Sequence, residues 1–366
     1  MKTAKRNGVI DFMRFVFSVV IVIFHSRNLG GKAYGADNVL FADAGYIAVE
    51  FFFLVSGFLM AKSALSAPDS GRGIGGETLT FLWKKIKALL PYYLFAVFFS
   101  YARIVYVNDY TAAETVRNFM AGIWDLAFLR AAGFKSFSLI RATWYLSAMF
   151  TAMMILYPMV RKWKRTFTHL IAPLIAIGLM GYLTQNYSSL DLHLNHWDTM
   201  YAGLVRGLAE ISLGCVCYVI CEKMKGVTYT LFSRILITLT QVLGYGFVLR
   251  CMHNMPNATR FDFVLLPILA ICVVLSFSGQ GVAVPLFTGK AFPWLGKVSM
   301  VVYVNHMWVK DSVAGFFPAS LGYWKLLGIT LGSVTVVSAV CMLFVDGMAR
   351  LCNKHKETLA RCFVKP

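Results

Sequence analysis

Charge is scarce in this sequence. Only 14% of its 366 residues are Asp, Glu, Lys or Arg, against about 25% in soluble domains. Acid is scarcer still, with 17 Asp and Glu facing 35 Lys and Arg, a formal net charge of +18. A chain this poor in charge, 58% hydrophobic and with a mean hydropathy of +0.65, does not fit the ordinary soluble classes. A disulfide framework or zinc site is not expected either. The eight cysteines contain no Cys-x-x-Cys pair, and Cys215, Cys217, Cys221, Cys251, Cys272 and Cys341 lie in or beside apolar runs, so buried thiols are expected. The glycine-rich "GRGIGGETLT" lacks the Gly-Lys-Ser/Thr of a phosphate-binding loop and reads as a connection. No stretch joins a basic face to a soluble recognition motif, so nucleic acid is not an expected partner. No internal repeat is visible, which counts against an inverted-repeat transporter.

What is present is a succession of apolar runs of roughly 18 residues or more, the signature of membrane-spanning helices. The sequence predicts an all-α polytopic membrane protein with about ten spans, at 9–26, 45–64, 86–107, 143–160, 168–184, 200–221, 229–252, 262–278, 298–316 and 323–345. A single domain covers 1–366, with its helices inside 9–346 and a basic tail at 347–366. The segment 119–132 is too short and too charged to span and is expected at the surface or as a re-entrant stretch. Lys2, Lys5 and Arg6 precede the first run, but Asp11 and Arg14 interrupt it and no small-residue cleavage site follows His25. An uncleaved first helix is expected. Alternate loops carry about 21 against 11 Lys and Arg, which places both termini in the cytoplasm.

The first span, "DFMRFVFSVVIVIFHS", holds three ionisable residues. Arg14 and His25 are eleven residues apart, so at about 100° per residue they lie within about 20° of each other, separated by about 16 Å along the axis. Asp11 and Arg14 are an (i, i+3) pair that can compensate one another. Two readings stand: snorkelling of Arg14 with His25 at the opposite interface, or a polar stripe facing a pathway or site. Histidine is the side chain whose ordinary pKa suits proton transfer near neutrality.

The second span, "GYIAVEFFFLVSGFLMAKS", puts Glu50 near the depth of His25, and a lone carboxylate there needs a partner. Ser56 and Gly57 read first as close helix packing by small residues. Arg206 and Glu210 form an (i, i+4) pair that can neutralise itself. His306 follows Tyr303 by one turn in the ninth span, and Trp144 opens the fourth, where an interfacial anchor is the plain account. The outer loop "DLHLNHWD" lacks metal-ligand spacing, and no metal is expected there.

The pattern "IDFMRF…FH" followed by "GYIAVEFFFLVSGF" resembles the acyltransferase-3 family of integral membrane acyltransferases. That family carries an arginine, ten intervening residues and a histidine in its first helix, matched here by Arg14 and His25. It also carries an acidic residue before a Phe-Phe-x-x-Ser-Gly motif, matched by Glu50, Phe52, Phe53, Ser56 and Gly57. "FLWKKIKALLPYY", "TWYLSAMF" and "WLGKVSMVVYVNH" resemble its later segments, and the likeness covers nearly the whole chain, ten helices included.

The resemblance implies transfer of an acyl group, commonly acetyl, from cytoplasmic acyl-CoA (acetyl-CoA or another) to a hydroxyl of a cell-envelope glycan or lipid-linked saccharide. His25 becomes the catalytic base or acyl relay, with Glu50 beside it, and Arg14 helps hold the donor with Asp11 in support. Lys84, Lys85 and Lys87 are either contacts for the CoA phosphates or plain topology charges. Trp144, Arg206, Glu210, Tyr303 and His306 become acceptor or supporting residues. The expected setting is the inner membrane of a bacterium. The expected form is a stand-alone member without a fused esterase-like domain, so a homodimer or a partner that completes transfer stays open. A transporter or flippase for a sugar-linked substrate, and a structural subunit that would not need His25, are the competing classes.

Overall fold

The computed structural model describes residues 6–31, 41–192, 196–197, 200–257 and 259–363, the side chains of 196, 197, 200 and 353–363 excepted. Lys2, Lys5, Lys32, His193, Asp198 and residues 364–366 of the basic tail lie outside the described residues.

The chain forms α1 (Gly8–Ser26), α2 (Ala48–Ser66), α3 (Gly73–Val107), α4 (Ala112–Ala121), α5 (Ile123–Leu126), α6 (Thr143–Thr166), α7 (Ala172–Asn186), α8 (Ala202–Lys225), α9 (Leu231–Asn254), α10 (Asp262–Ser278), α11 (Ala291–Phe316) and α12 (Tyr323–Phe363). Between α7 and α8, β1 (His196–Trp197) and β2 (Met200–Tyr201) pair antiparallel. This is the one departure from an all-helical chain among the described residues, and it takes the first two residues of the expected 200–221 span.

Every expected span overlies a helix. Among the described residues, seven helices are long and apolar enough to cross a membrane. The count differs from ten for local reasons. The run Thr143–Asn186 registers as one span, because α6 continues into α7 through a π-helical turn, Phe167–Ile171. The break between the two is at Lys164, whose backbone leaves the helix at φ 39°, ψ −104°. α10 is apolar but shorter, and α11, which bears Lys297, Lys310 and Asp311, is not among the seven.

Side-chain ties place the helix ends on two faces. Arg6 at the start of α1 lies against Gly296 of α11, and Lys297 pairs with Asp346 of α12 at 2.9 Å. The start of α1 and the part of α12 around Asp346 therefore share one face, here the terminal face. Arg161 closes that face from the side. It pairs with Glu77 at 2.6 Å and donates to the carbonyls of Ala64 and Ala67 at 2.9 and 2.8 Å. It thus ties α2, α3 and α6 and is more than an orientation charge.

Two helices form the centre. Within their apolar windows α2 is 72% and α8 67% buried, against 28–44% for the other candidate spans. Glycine permits their approach. A Cβ on Gly57 would stand 2.1 Å from the carbonyl oxygen of Ile211, and one on Gly214 would stand 2.4 Å from that of Leu54. The small-residue reading of Gly57 therefore holds, while Ser56 contacts the Tyr145 hydroxyl at 3.4 Å and Met149 Sδ at 3.3 Å. The periphery is apolar and exposed, with Phe98, Ile177, Phe232, Leu243 and Leu343 all at least two-thirds exposed. That distribution suits a hydrocarbon solvent, where backbone polar groups are satisfied inside each helix and apolar side chains face out.

The expected Asp11–Arg14 pair is present, and Asp11 has a second, closer partner in Arg6. Arg6 holds Asp11 with two hydrogen bonds of 3.0 and 2.8 Å, whereas Arg14 stands 3.7 Å away. Arg6 precedes the helix, so its guanidinium can fold back and meet both carboxylate oxygens. Gly296 leaves the room, since a Cβ there would stand 2.2 Å from Asp11 Oδ1.

Candidate active site

A cavity of about 280 Å³ opens at the face opposite the termini. Its wall is assembled from the ends of four helices and the middle of a fifth: the last turn of α1 with His25, the approach to α2, the start of α6 with Trp144, the start of α8 with Arg206, and the middle of α11 with Tyr303 and Met307.

His25 stacks on His306, ring centroids 5.2 Å apart and planes 28° from parallel. His306 is wholly buried, and its Nδ1 lies 2.6 Å from the carbonyl oxygen of Tyr303. A carbonyl only accepts, so Nδ1 carries the proton and Nε2 keeps its lone pair. That Nε2 is buried with no hydrogen-bond partner among the described residues. The Tyr303 hydroxyl donates to the carbonyl of Ala142, which pins α11 to the entry of α6.

Glu50, Arg206 and Glu210 meet in one buried cluster. Arg206 Nε donates to Glu50 at 2.9 Å and to Glu210 at 3.1 Å, and its Nη2 lies 2.5 Å from Glu50 Oε1. All three are at most 1% exposed. The Arg206–Glu210 pair expected along α8 is present, and Glu50 supplies the second carboxylate from α2. Trp144 covers the cluster, with the Arg206 guanidinium 5.6 Å from its ring centroid. Trp144 is therefore more than an interfacial anchor.

Arg14 lies on α1 towards the terminal face, with Lys85 and Tyr145 as electrostatic neighbours. Tyr145 in turn packs on Tyr303 at 5.7 Å. A column of polar and aromatic groups thus runs from Arg14 through Tyr145 and Tyr303 to the histidine pair. Tyr145 was not singled out in the sequence, although it follows Trp144 in the quoted "TWYLSAMF"; its depth depends on how α6 is rotated, which no local pattern fixes. Of the three lysines on α3, only Lys85 turns inward, its ammonium 5.1 Å from the Phe81 ring centroid. Lys84 and Lys87 are exposed and are not brought to Arg14. Ser18, also on α1, spends its hydroxyl on its own helix, donating to the Phe15 carbonyl at 2.7 Å.

The site thus combines a histidine on a cavity wall, a buried carboxylate–guanidinium cluster beside it, and a polar column leading to the other face. The profile of the acyltransferase-3 family, described as an acyltransferase domain, matches residues 7–345. No curated protein and no solved structure matches the chain.

Proposed function

Since this chain belongs to the acyltransferase-3 family and is an acyltransferase of multi-pass membrane type, we propose that it carries an acyl group, acetyl first, from acyl-CoA at the terminal face to a hydroxyl of an envelope glycan or lipid-linked sugar at the opposite face. In this reading all ten long helices cross the inner membrane of a bacterium and both termini are cytoplasmic. The observation that carries the reading is the placement along α1. His25 lines the far cavity, and Arg14, three turns nearer the termini on the same face, neighbours Lys85 and Tyr145.

The chemistry follows from groups within reach. The acceptor hydroxyl gives its proton to His25 as its oxygen attacks the thioester carbonyl. The C–O bond forms, the C–S bond breaks, and the proton passes to the departing thiolate. A base at this point contributes about 10²–10⁴-fold. His306, fixed by its bond to the Tyr303 carbonyl, holds the His25 ring by stacking. The Glu50–Arg206–Glu210 cluster lies close to the same wall, where Arg206 lines the cavity. Arg14 and Lys85 meet the donor's phosphates, and Trp144 offers an aromatic face to a sugar ring.

The test is acceptor-dependent release of free CoA thiol from acetyl-CoA by the purified protein, together with mass spectrometry of envelope glycans from cells with and without the gene. His25→Ala should abolish both signals. Wild-type levels of glycan acylation in His25→Ala cells would remove the base. Sugar-lipid translocation in proteoliposomes with no thiol release would favour a flippase.

A further inference from the structure

A second cavity, of about 470 Å³, adjoins the first, and Arg141 and Met307 line both. It sits where the end of α3, the segment 137–141 and the end of α11 meet. Its charge is one-sided. Arg141 Nη2 lies 2.6 Å from Asp311 Oδ2, and Lys310 Nζ lies 2.7 Å from Asp311 Oδ1. Arg103 donates its Nη2 to the main-chain carbonyl of Asp311 at 2.9 Å, an acceptor with no compensating charge. Two cations therefore share one carboxylate, and Arg103 stands beside it as a third positive charge.

Arg141 is 61% exposed in that pair. An ion pair so open to solvent adds little to stability, so the fold gives weak reason to hold a guanidinium at the junction of two cavities. The other arginines on the wall of the first cavity, Arg27 and Arg206, have carboxylate partners from their own surroundings, Asp43 for Arg27 and Glu50 with Glu210 for Arg206. An anion is thus favoured at Arg103 and Arg141, where two guanidiniums meet a single aspartate that Lys310 also pairs with.

We infer that the second cavity is a subsite for an anionic group, a phosphate or carboxylate, carried by the saccharide acceptor. This rests on the acyl-transfer reading for the identity of the molecule as acceptor. Arg103 and Arg141 receive the anion through charge-assisted, fork-shaped hydrogen bonds. The part of the molecule beyond it passes Arg141 and Met307 into the first cavity, where its hydroxyl meets His25. A neutral sugar has nothing to hold it in that register.

The test uses the full-length protein in nanodiscs, with binding of glucose 1-phosphate, glucuronic acid and glucose measured by calorimetry. At least one anionic sugar should bind about tenfold or more tighter than glucose, and the preference should shrink as salt rises. The phosphate and carboxylate arms tell which anion the subsite takes. Arg103→Gln with Arg141→Gln should erase the preference, while His25→Ala should keep it. Equal binding of all three sugars, no binding of either anionic sugar, or a preference surviving in the double variant overturns the subsite. Tighter binding of glycerol 3-phosphate than of either anionic sugar overturns it also, in favour of a lipid headgroup. The wild-type comparison decides even if the double variant does not fold. Failure of acyl transfer leaves the binding preference measurable, so the two readings fall separately.

Discussion

Replacing Arg206 by methionine removes the only cation of a cluster whose three members are at most 1% exposed. Glu50 loses contacts of 2.9 and 2.5 Å, and Glu210 loses one of 3.1 Å. Two carboxylates are then left buried within reach of each other. Breaking one buried pair from one side costs about 3–5 kcal/mol, because the remaining charge is neither solvated nor paired. At about 2 °C per kcal/mol for a chain of this size, the unfolding midpoint should fall by about 6–10 °C. The protein carries its own reporter: Cys215, Cys217, Cys221, Cys251, Cys272 and Cys341 are buried, so a thiol-reactive fluorophore lights up as the core opens, over a baseline from exposed Cys352. Glu50→Gln should cost less, since Arg206 keeps Glu210. The triple change Arg206→Met, Glu50→Leu, Glu210→Leu should recover most of the loss, because it removes the stranded charges along with their partner. A midpoint within a degree of wild type for Arg206→Met, or a triple variant less stable than the single one, would refute the reasoning.

Gly57→Ala should lower the same midpoint by about 1–3 kcal/mol equivalent or more, since its methyl would stand 2.1 Å from the Ile211 carbonyl. Gly178→Ala, with nothing within 4 Å of the added atom, is the control and should be near neutral in the same scan. In steady-state kinetics Lys85→Ala should raise KM for acyl-CoA about tenfold while Lys84→Ala and Lys87→Ala leave it within about twofold, because only Lys85 turns inward; equal effects from all three would reduce them to topology charges. Replacing His306 by phenylalanine preserves ring stacking on His25 but deletes the Nδ1 bond to Tyr303, so kcat should fall with KM for the donor unchanged. At α4, hydrogen bonds from the Thr111 backbone and hydroxyl hold the Glu114 carboxyl below its ordinary range. Its capping contribution should therefore be complete above about pH 4.3, the ordinary value, and fade as pH falls through the depressed folded value. Hydrogen exchange at 111–116 reads this, and protection that rises on acidification would contradict it.

The histidine pair shows where local reading stops. His25 is visible on α1 because Arg14 and His25 share a face by helical period alone, and His306 is visible one turn after Tyr303. That the two rings stack is a contact across 281 positions and depends on how α11 is rotated against α1. Glu50 is the same case. A carboxylate in an apolar helix demands a partner, yet nothing near it in the chain says that Arg206 supplies one. Helix spacing makes the Asp11–Arg14 pair legible, but not that Arg6, outside the helix and free to reach both oxygens, holds the same carboxylate more closely. Lys84, Lys85 and Lys87 look alike in composition and are separated only by the rotation of α3.

By itself, then, the sequence determined the membrane class, the run of long apolar helices, the polar stripe on α1 and the need of Glu50 for a cation, because hydropathy and the 3.6-residue period act over a few turns. Only the tertiary structure decided which cation Glu50 takes, which lysine turns inward, that the two histidines stack, and that two cavities share Arg141. Those depend on the depth and rotation at which helices dock, and docking is set by close packing of distant surfaces such as Gly57 against Ile211, which no local pattern encodes.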